Sequence, residues 1–385
     1  MPADNYEVIV IGVGSMGSAA CYYLAKHGYK VLGLEQFDIP HELGAHTGQS
    51  RIIRKAYFED PNYVPLLDRA YKNWKDLEDE TGTQLYFRTG LVYFGRPGHE
   101  LMKAVKRSAS LYDIRLEQID TSSAAKRFPQ FKIPENSEVL FEPDAGLLPP
   151  GKAILLYTKQ AISKGAEIHT HEKVIDWKKE KKEFTVSTTK DIYRCNKIVI
   201  TTGPWAGKMI PGFHDALKIT RQTLAWVKPK NPDDFSLNHF PCWMIADDEQ
   251  PGVYYGFPVL PVKTFGEPGG LKLAHHYPGL VTDPDNVNRQ SNVEDEKTLK
   301  HALDKYFSAE FESGLSVKTC LYANSPDENF IIDHLPGYED QVVIACGFSG
   351  HGFKFVSIVG EILADLIIQG NTKLPIGFLN AKRFA

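Results

Sequence analysis

The sequence predicts an α/β protein in which a parallel, helix-covered sheet is interrupted by an inserted α+β unit. Three observations point there. A strand, a helix and a second strand follow one another between residues 8 and 35; a further strand, glycine loop and helix stand at residues 342–368; and the strand-rich stretches between them contain no repeat or low-complexity linker that would mark an appended domain. At 385 residues the chain is long enough for two domains or one elaborated α/β domain.

The first element is the apolar, β-branched run Val8-Ile9-Val10-Ile11, too short for a buried helix and suited to a strand covered on both faces. Gly12-Val13-Gly14-Ser15-Met16-Gly17 follows at once. Residues 19–26 read as a helix with Ala20 and Leu24 on one face, His27-Gly28 ends it, and Val31-Leu32-Gly33-Leu34 gives a second strand closing at Glu35 and Gln36. Each glycine has a mechanical role: Gly12 allows the tight exit from the strand, Gly14 lets backbone approach a pyrophosphate, and Gly17 lets the helix pack on the sheet. The helix start offers free N–H groups and partial positive charge to phosphates, and Glu35 can accept from both ribose hydroxyls. A bare GxGxxG occurs in many turns. With strand, helix and acid in register, this one predicts dinucleotide binding, and Glu35 suits NAD as well as FAD.

Next comes the polar loop Gly44-Ala45-His46-Thr47-Gly48-Gln49-Ser50, leading into Arg51-Ile52-Ile53-Arg54. The isoleucine pair implies burial that carries the arginines inward, where they need anionic partners. Two readings stand: structural salt bridges, or a site for a ligand phosphate or carboxylate. Asp60-Pro61-Asn62 opens a helix whose Val64, Leu67, Tyr71, Trp74 and Leu77 follow helical spacing and read as core. Residues 91–94 are a strand, 100–111 a helix, 141–146 a turn back towards the first domain, and 153–163 a helix. Strand-like runs at Val174-Ile175, Phe184-Thr185-Val186 and Tyr193-Arg194-Cys195 suggest an antiparallel meander.

Lys197-Ile198-Val199-Ile200 is read as a separate buried strand ending in Thr201-Thr202-Gly203-Pro204-Trp205, where small residues let backbone approach a ligand at the carboxyl edge of the sheet. Residues 253–258 and 270–276 read as strands of a second sheet. The tail returns with Phe330-Ile331-Ile332-Asp333, the strand 342–345, the loop Gly347-Phe348-Ser349-Gly350-His351-Gly352-Phe353-Lys354 and an apolar helix over 356–368.

Composition excludes several classes. A hydrophobic share of 42% with 24% charged residues is that of a globular protein, and a net charge of -4 gives no reason to expect nucleic acid or an anionic membrane as partner. No apolar run approaches a membrane span, and Met1-Pro2-Ala3-Asp4-Asn5 has neither the basic region nor the apolar core of a secretion signal. Cys21, Cys195, Cys242, Cys320 and Cys346 are scattered and lack CxxC spacing, so neither a disulfide framework nor a metal site is expected. The expected compartment is the cytoplasm; Lys382-Arg383-Phe384-Ala385 is not a peroxisomal ending of the SKL type.

The motifs Gly12 to Gly17, Gly48 to Arg54, Thr202-Gly203-Pro204-Trp205, Cys320-Leu321-Tyr322, Phe330 to Asp333 and Gly347 to Lys354 together resemble the monomeric sarcosine oxidase family, which includes N-methyltryptophan oxidase and peroxisomal sarcosine or pipecolate oxidase. They span nearly the whole chain in family order. The resemblance implies a glutathione-reductase-like FAD domain of the D-amino-acid-oxidase superfamily, made from residues 1–86, 146–221 and 320–385, with a substrate domain of mixed or antiparallel sheet from 87–145 and 222–319. It implies one FAD per chain, joined as a thioether to Cys320 and held by Gly12, Gly14, Ser15, Met16, Gly17, Glu35, Gln36, Ser50, Arg51, Val174, Gly203, Trp205, Gly347, Phe348, Gly350, His351, Gly352, Phe353 and Lys354.

Arg54 and Lys354 match the positions that hold a substrate carboxylate, Arg51 one near the flavin ring and Lys272 the oxygen-activating lysine, while Tyr255, His276 and Tyr322 match residues lining the substrate cavity. Read alone, Cys320 is a small buried hydrophobe and His276 a core histidine, with His275 its register alternative. Two departures stand out: Thr47 replaces a histidine expected over the flavin, and the loop 259–270 looks longer than in the bacterial enzymes. The implied activity is oxidation of sarcosine or a similar secondary amino acid by O2 and water, giving glycine, formaldehyde and H2O2, by a monomer. The alternatives are an oxidase of L-pipecolate, L-proline or N-methyltryptophan, or an FAD-dependent amino acid dehydrogenase with another acceptor.

Overall fold

The apolar run at Val8 forms the strand Asn5–Ile11 near the middle of an eight-stranded sheet, parallel to Val31–Leu34 on one side and to Ile192–Ile200 on the other. This computed structural model describes residues 5–276, 279–338 and 340–384; Met1–Asp4 and Ala385, read above for targeting signals, lie outside the described residues. The glycine turn hands the chain to the helix Ser15–Lys26, and the distant strand Val342–Cys346 joins the same sheet beside Ile192–Ile200, followed by the helix Val356–Gln369. The first and last helices pack on one another, because an alanine-rich face at Ala19 admits Gly360 at a distance no Cβ would allow.

Alternate residues of Asn5–Ile11 enter two cores. Val8 and Val10 meet the helices, and Ile9 and Ile11 meet a cluster with Trp177, Phe184 and Val186 of the meander. One expectation is corrected here. Tyr193-Arg194-Cys195 and Lys197-Ile198-Val199-Ile200 are one strand, Ile192–Ile200, whose first half alternates exposed and buried while its second half is buried throughout. The first half pairs antiparallel with Glu183–Thr188, and the second pairs parallel with Val342–Cys346, so a single strand serves two neighbours on one edge. Tyr71, read as core, is only half-buried and donates to the Asp144 carbonyl.

The second sheet has nine strands, antiparallel except where Leu91–Gly95 and Cys242–Ala246 run parallel. Its backbone is the long pair Lys218–Pro229 and Phe311–Asn324. One face packs on the helix Val293–Tyr306 and a phenylalanine cluster. The other carries Leu224, Trp226, Ala274 and Cys320 and meets the loop at residues 44–48. A three-stranded sheet, Arg51–Ile53, Phe87–Arg88 and Gly146–Leu148, sits between the two and presents the arginines.

Candidate active site

At the carboxyl ends of the parallel strands lies a crevice of about 480 Å³. Gly12, Gly14, Ser15, Met16, Glu35, Gln36, Arg51, Val174, Gly203, Trp205, Gly347, Phe348, Gly350, Gly352 and Phe353 all line it. Gly17 stands behind: a Cβ there would run into the Gly12 carbonyl and the Thr201 hydroxyl, so this glycine fixes how closely helix and turn approach. Glu35 accepts from the N–H groups of Val13 at 2.9 Å and Phe37 at 3.0 Å, leaving carboxylate lone pairs for a ligand. Burial raises its pKa, and those N–H bonds oppose the rise.

Three features of the crevice call for a polar ligand. The helix at Ser15 has no side-chain cap, which leaves its first N–H groups to whatever fills the space. His46 Nε2 and Thr202 Oγ1 are buried with no hydrogen-bond partner, and both residues line the crevice. Burial holds the His46 pKa down at about 3, so its imidazole is neutral near pH 7. A phosphate-and-ribose group fits this donor and acceptor set. Neither His46 nor Thr202 was singled out from sequence, although both stand in motifs quoted above.

Cys320 does not border the crevice but lies one step behind it. Its Sγ is 3.4 Å from the Ala45 carbonyl and 3.7 Å from Arg51 Nη2, and both of those residues line the crevice. Arg51 is pinned by the carbonyls of Thr47 and Ser50, at 2.8 and 2.9 Å, so its charge is fixed where crevice and inner chamber meet. Thr47, the departure at the expected histidine, turns its hydroxyl to the carbonyls of Glu42 and Gly44 and closes the loop on itself.

Beyond Arg51 is an inner chamber of about 50 Å³ lined by Arg54, Tyr255, His276, Tyr322, His351 and Lys354 among others. The strand Arg51–Ile53 is buried on both sides, Ile52 and Ile53 entering different clusters, and this carries Arg54 inward until it is 1% exposed. Arg54 Nη2 donates to both oxygens of Glu59, at 2.8 and 2.6 Å, its Nη1 to the Ala56 carbonyl, and its Nε is buried without a partner. Burial would raise the Glu59 pKa, but Arg54 overrides it and holds the carboxyl at about 2. Arg54 and Lys354 both lie over the Tyr57 ring, 4.5 and 5.0 Å from its centre. Lys354 donates to the His351 carbonyl at 2.6 Å, and Trp74 Nε1 holds the Lys354 carbonyl at 3.0 Å. Burial, then the nearby Arg54, brings the Lys354 pKa down to about 7.

His276 Nδ1 is 3.2 Å from the Tyr322 hydroxyl, and burial lowers the His276 pKa to about 4, so the pair is neutral near pH 7. Gly350, with φ of +80°, lays its backbone against the Tyr322 ring, where a Cβ would collide. Lys272 shares a strand face with Ala274 and His276, four residues or about 13 Å from the latter. It borders none of these cavities. Its Nζ donates to the Ser50 carbonyl at 2.7 Å and Oγ at 3.3 Å between the rings of Phe257 and Trp226. Burial, then Arg51, lowers its pKa well below the usual value. His275 points to the opposite face, stacked on Tyr254, while His276 lines the chamber. Sequence reading missed Glu59 and Glu142; the latter is a fully buried carboxylate that accepts from Lys55 N–H at 2.6 Å, Ala56 N–H at 3.3 Å and the Tyr93 hydroxyl at 2.9 Å. No local pattern marks either residue.

Comparison with known proteins agrees with this geometry. The model of the FAD dependent oxidoreductase family matches residues 7–366. A monomeric sarcosine oxidase of Streptomyces avermitilis is 37% identical over 100% of this chain and 99% of its own. An N-methyl-L-tryptophan oxidase of Salmonella dublin is 32% identical over 99% of this chain and 100% of its own. The solved structure of NikD, an amino acid oxidase of nikkomycin biosynthesis, superposes with a TM-score of 0.84 at 21% identity, over 98% of this chain and 97% of that one. The chain belongs to the FAD dependent oxidoreductase family and, within it, to the monomeric sarcosine oxidases and their relatives, and FAD is its cofactor.

Proposed function

We propose that this member of the FAD dependent oxidoreductase family oxidises the C–N bond of sarcosine, or of a similar secondary amino acid, with O2 and water, releasing glycine, formaldehyde and H2O2. The observation that carries the reading is the convergence of Arg54 and Lys354 on one small chamber beside the cofactor crevice. Bound FAD supplies the chemistry, taking two electrons from the substrate and passing them to O2.

In this reading residues 1–86, 146–221 and 320–385 form the FAD-binding part, and 87–145 and 222–319 the substrate part. Crevice backbone at Gly12, Gly14 and Ser15 holds the pyrophosphate, Glu35 the ribose, and Cys320 forms a thioether to the one FAD of each chain. Arg54 and Lys354 hold the substrate carboxylate, each charge-assisted hydrogen bond contributing about 1.5 to 3 kcal/mol. Tyr255, His276 and Tyr322 enclose the amine. Since His276 is neutral and Tyr322 un-ionised, they favour an amine bound in its neutral form, and no separate base is required. Arg51 provides fixed positive charge where electrons arrive, and Lys272, whose burial favours the neutral amine, can gain a proton and charge as negative charge develops where they leave. The enzyme is read as a cytoplasmic monomer.

The test is direct. Yellow purified protein given sarcosine in air should release equal amounts of H2O2 and formaldehyde, and its colour should stay with the acid-precipitated chain in wild type but not in Cys320→Ala. Bleaching by substrate with no peroxide would move the protein to the dehydrogenases, and colour freely lost to the supernatant would remove Cys320 from the assignment.

A further inference from the structure

A second chamber, about 350 Å³, opens outward from the inner one. Phe58, Glu59, His276, Tyr322 and His351 belong to the walls of both and so form the passage between them. The outer wall includes the acidic residues Asp327 and Glu328, shares Glu59 with the inner chamber, and has no lysine or arginine among the described residues. Asp327 is paired with Arg383 at 2.9 Å. Glu328 uses its backbone carbonyl to accept from His351 Nε2 at 3.1 Å, while its exposed side chain has no ion pair among the described residues.

Charge changes at the passage when a carboxylate enters. Arg54 gives its Nη2 to Glu59 and keeps one buried donor, Nε, without a partner. A substrate carboxylate on Arg54 therefore either shares the guanidinium with Glu59 or displaces it, and in both cases Glu59 becomes an under-compensated anion at the mouth of the outer chamber. The substrate's orientation is also constrained. Its carboxylate is held at Arg54 and Lys354, and the N-methyl carbon must face the cofactor, which leaves the Cα substituent as the only part free to cross the passage.

We propose that the outer chamber is a subsite for that substituent and selects secondary amino acids whose side chain ends in a cation, the Nα-methyl-lysine class, with sarcosine a smaller substrate that leaves the subsite unused. This rests on the oxidase reading above. The cation lies among Glu59, Asp327 and Glu328, and the products become the basic amino acid, formaldehyde and H2O2.

Peroxide release by the full-length holoenzyme should be compared for sarcosine, Nα-methyl-L-lysine and its neutral isostere Nα-methyl-L-norleucine, with the apparent Kd of each read anaerobically from the concentration dependence of the bleaching rate, or from the shift of the visible spectrum where a compound does not bleach the protein. The expected result is that kcat/KM and 1/Kd for the lysine derivative exceed those for the norleucine derivative by roughly three- to tenfold, an advantage that shrinks in added salt. Glu328→Gln should reduce that ratio at least about twofold and leave sarcosine unchanged. Equal values for the lysine and norleucine derivatives, a preference for sarcosine over both, or an unaltered ratio in Glu328→Gln would overturn the subsite. Absence of peroxide from all three would overturn the oxidase reading, and the Kd ratio would then still decide the subsite.

Discussion

Two buried lysines, Lys354 in the turn after the strand Val342–Cys346 and Lys272 on a strand of the second sheet, have different surroundings. Lys354 shares a chamber with Arg54 and Glu59, a pair of charges that an entering carboxylate can rearrange. Lys272 borders none of the cavities described and, among the described residues, has no carboxylate beside it and meets Ser50 and two aromatic faces. Burial lowers both pKa values. On the proposed reading the difference assigns Lys354 to an anion the substrate brings, and Lys272 to negative charge that develops only during the reaction, when a buried amine able to take up a proton counts most.

The largest effect that could break this contrast comes from the chamber cations. Arg54→Ala or Lys354→Ala should each cost roughly 2 to 4 kcal/mol, or about 30- to 1,000-fold in kcat/KM for sarcosine. On the reading that the two act on one carboxylate, the double variant should lose clearly less than the sum of the singles. Strict additivity would mean that they serve different groups.

A smaller effect sharpens the contrast through pH. With its pKa at about 7 in the free protein, Lys354 is protonated below that value and loses its proton above it. A simple carboxylate such as propionate binds the protonated form, so its affinity should be highest below pH 7 and fall by up to about tenfold per unit as pH rises, until the bound lysine also deprotonates. Titration of propionate across pH 6 to 9 should lose this dependence in Lys354→Met; a slope that survives in the variant would assign it elsewhere. Smaller still is the contribution of Glu142, which fixes the Lys55–Ala56 backbone whose carbonyl in turn holds Arg54. Glu142→Gln keeps one oxygen for the two N–H groups but removes the negative charge and turns an amide donor to the Tyr93 hydroxyl, so KM for sarcosine should rise about three- to tenfold with kcat nearly unchanged. An unchanged KM would leave Glu142 a purely structural group.

How far sequence could see differs between the same regions. The crevice was legible because its chemistry is local: a β-branched strand, glycines where backbone must approach, and an uncapped helix are contiguous from Val8 to Lys26. Its exception is the strand Ile192–Ile200, whose change from alternating to continuous burial looked like two elements because two different neighbours dictate the pattern. The chamber was half legible. Arg54 and Lys354 were marked by the isoleucines and the glycine loop beside them, but Glu59 gains meaning only from the turn that brings it back onto Arg54, and Glu142 only from the contact of the strand Glu138–Glu142 with the Lys55–Ala56 backbone. The pairing of Lys218–Pro229 with Phe311–Asn324, which sets Cys320 opposite Gln222 and Tyr322 opposite Thr220, joins segments too distant for any periodicity to reveal.

The measurement that tests the division of labour most directly separates the two half-reactions in Lys272→Met and Lys354→Met. Without air, the rate at which sarcosine bleaches the yellow protein is read in a stopped-flow; with air readmitted, the rate at which O2 restores the colour is read in turn. Lys272→Met is expected to regain colour roughly 100-fold more slowly while bleaching at nearly the wild-type rate, and Lys354→Met to do the reverse at subsaturating sarcosine. Equal slowing of both half-reactions in Lys272→Met would contradict that division of labour.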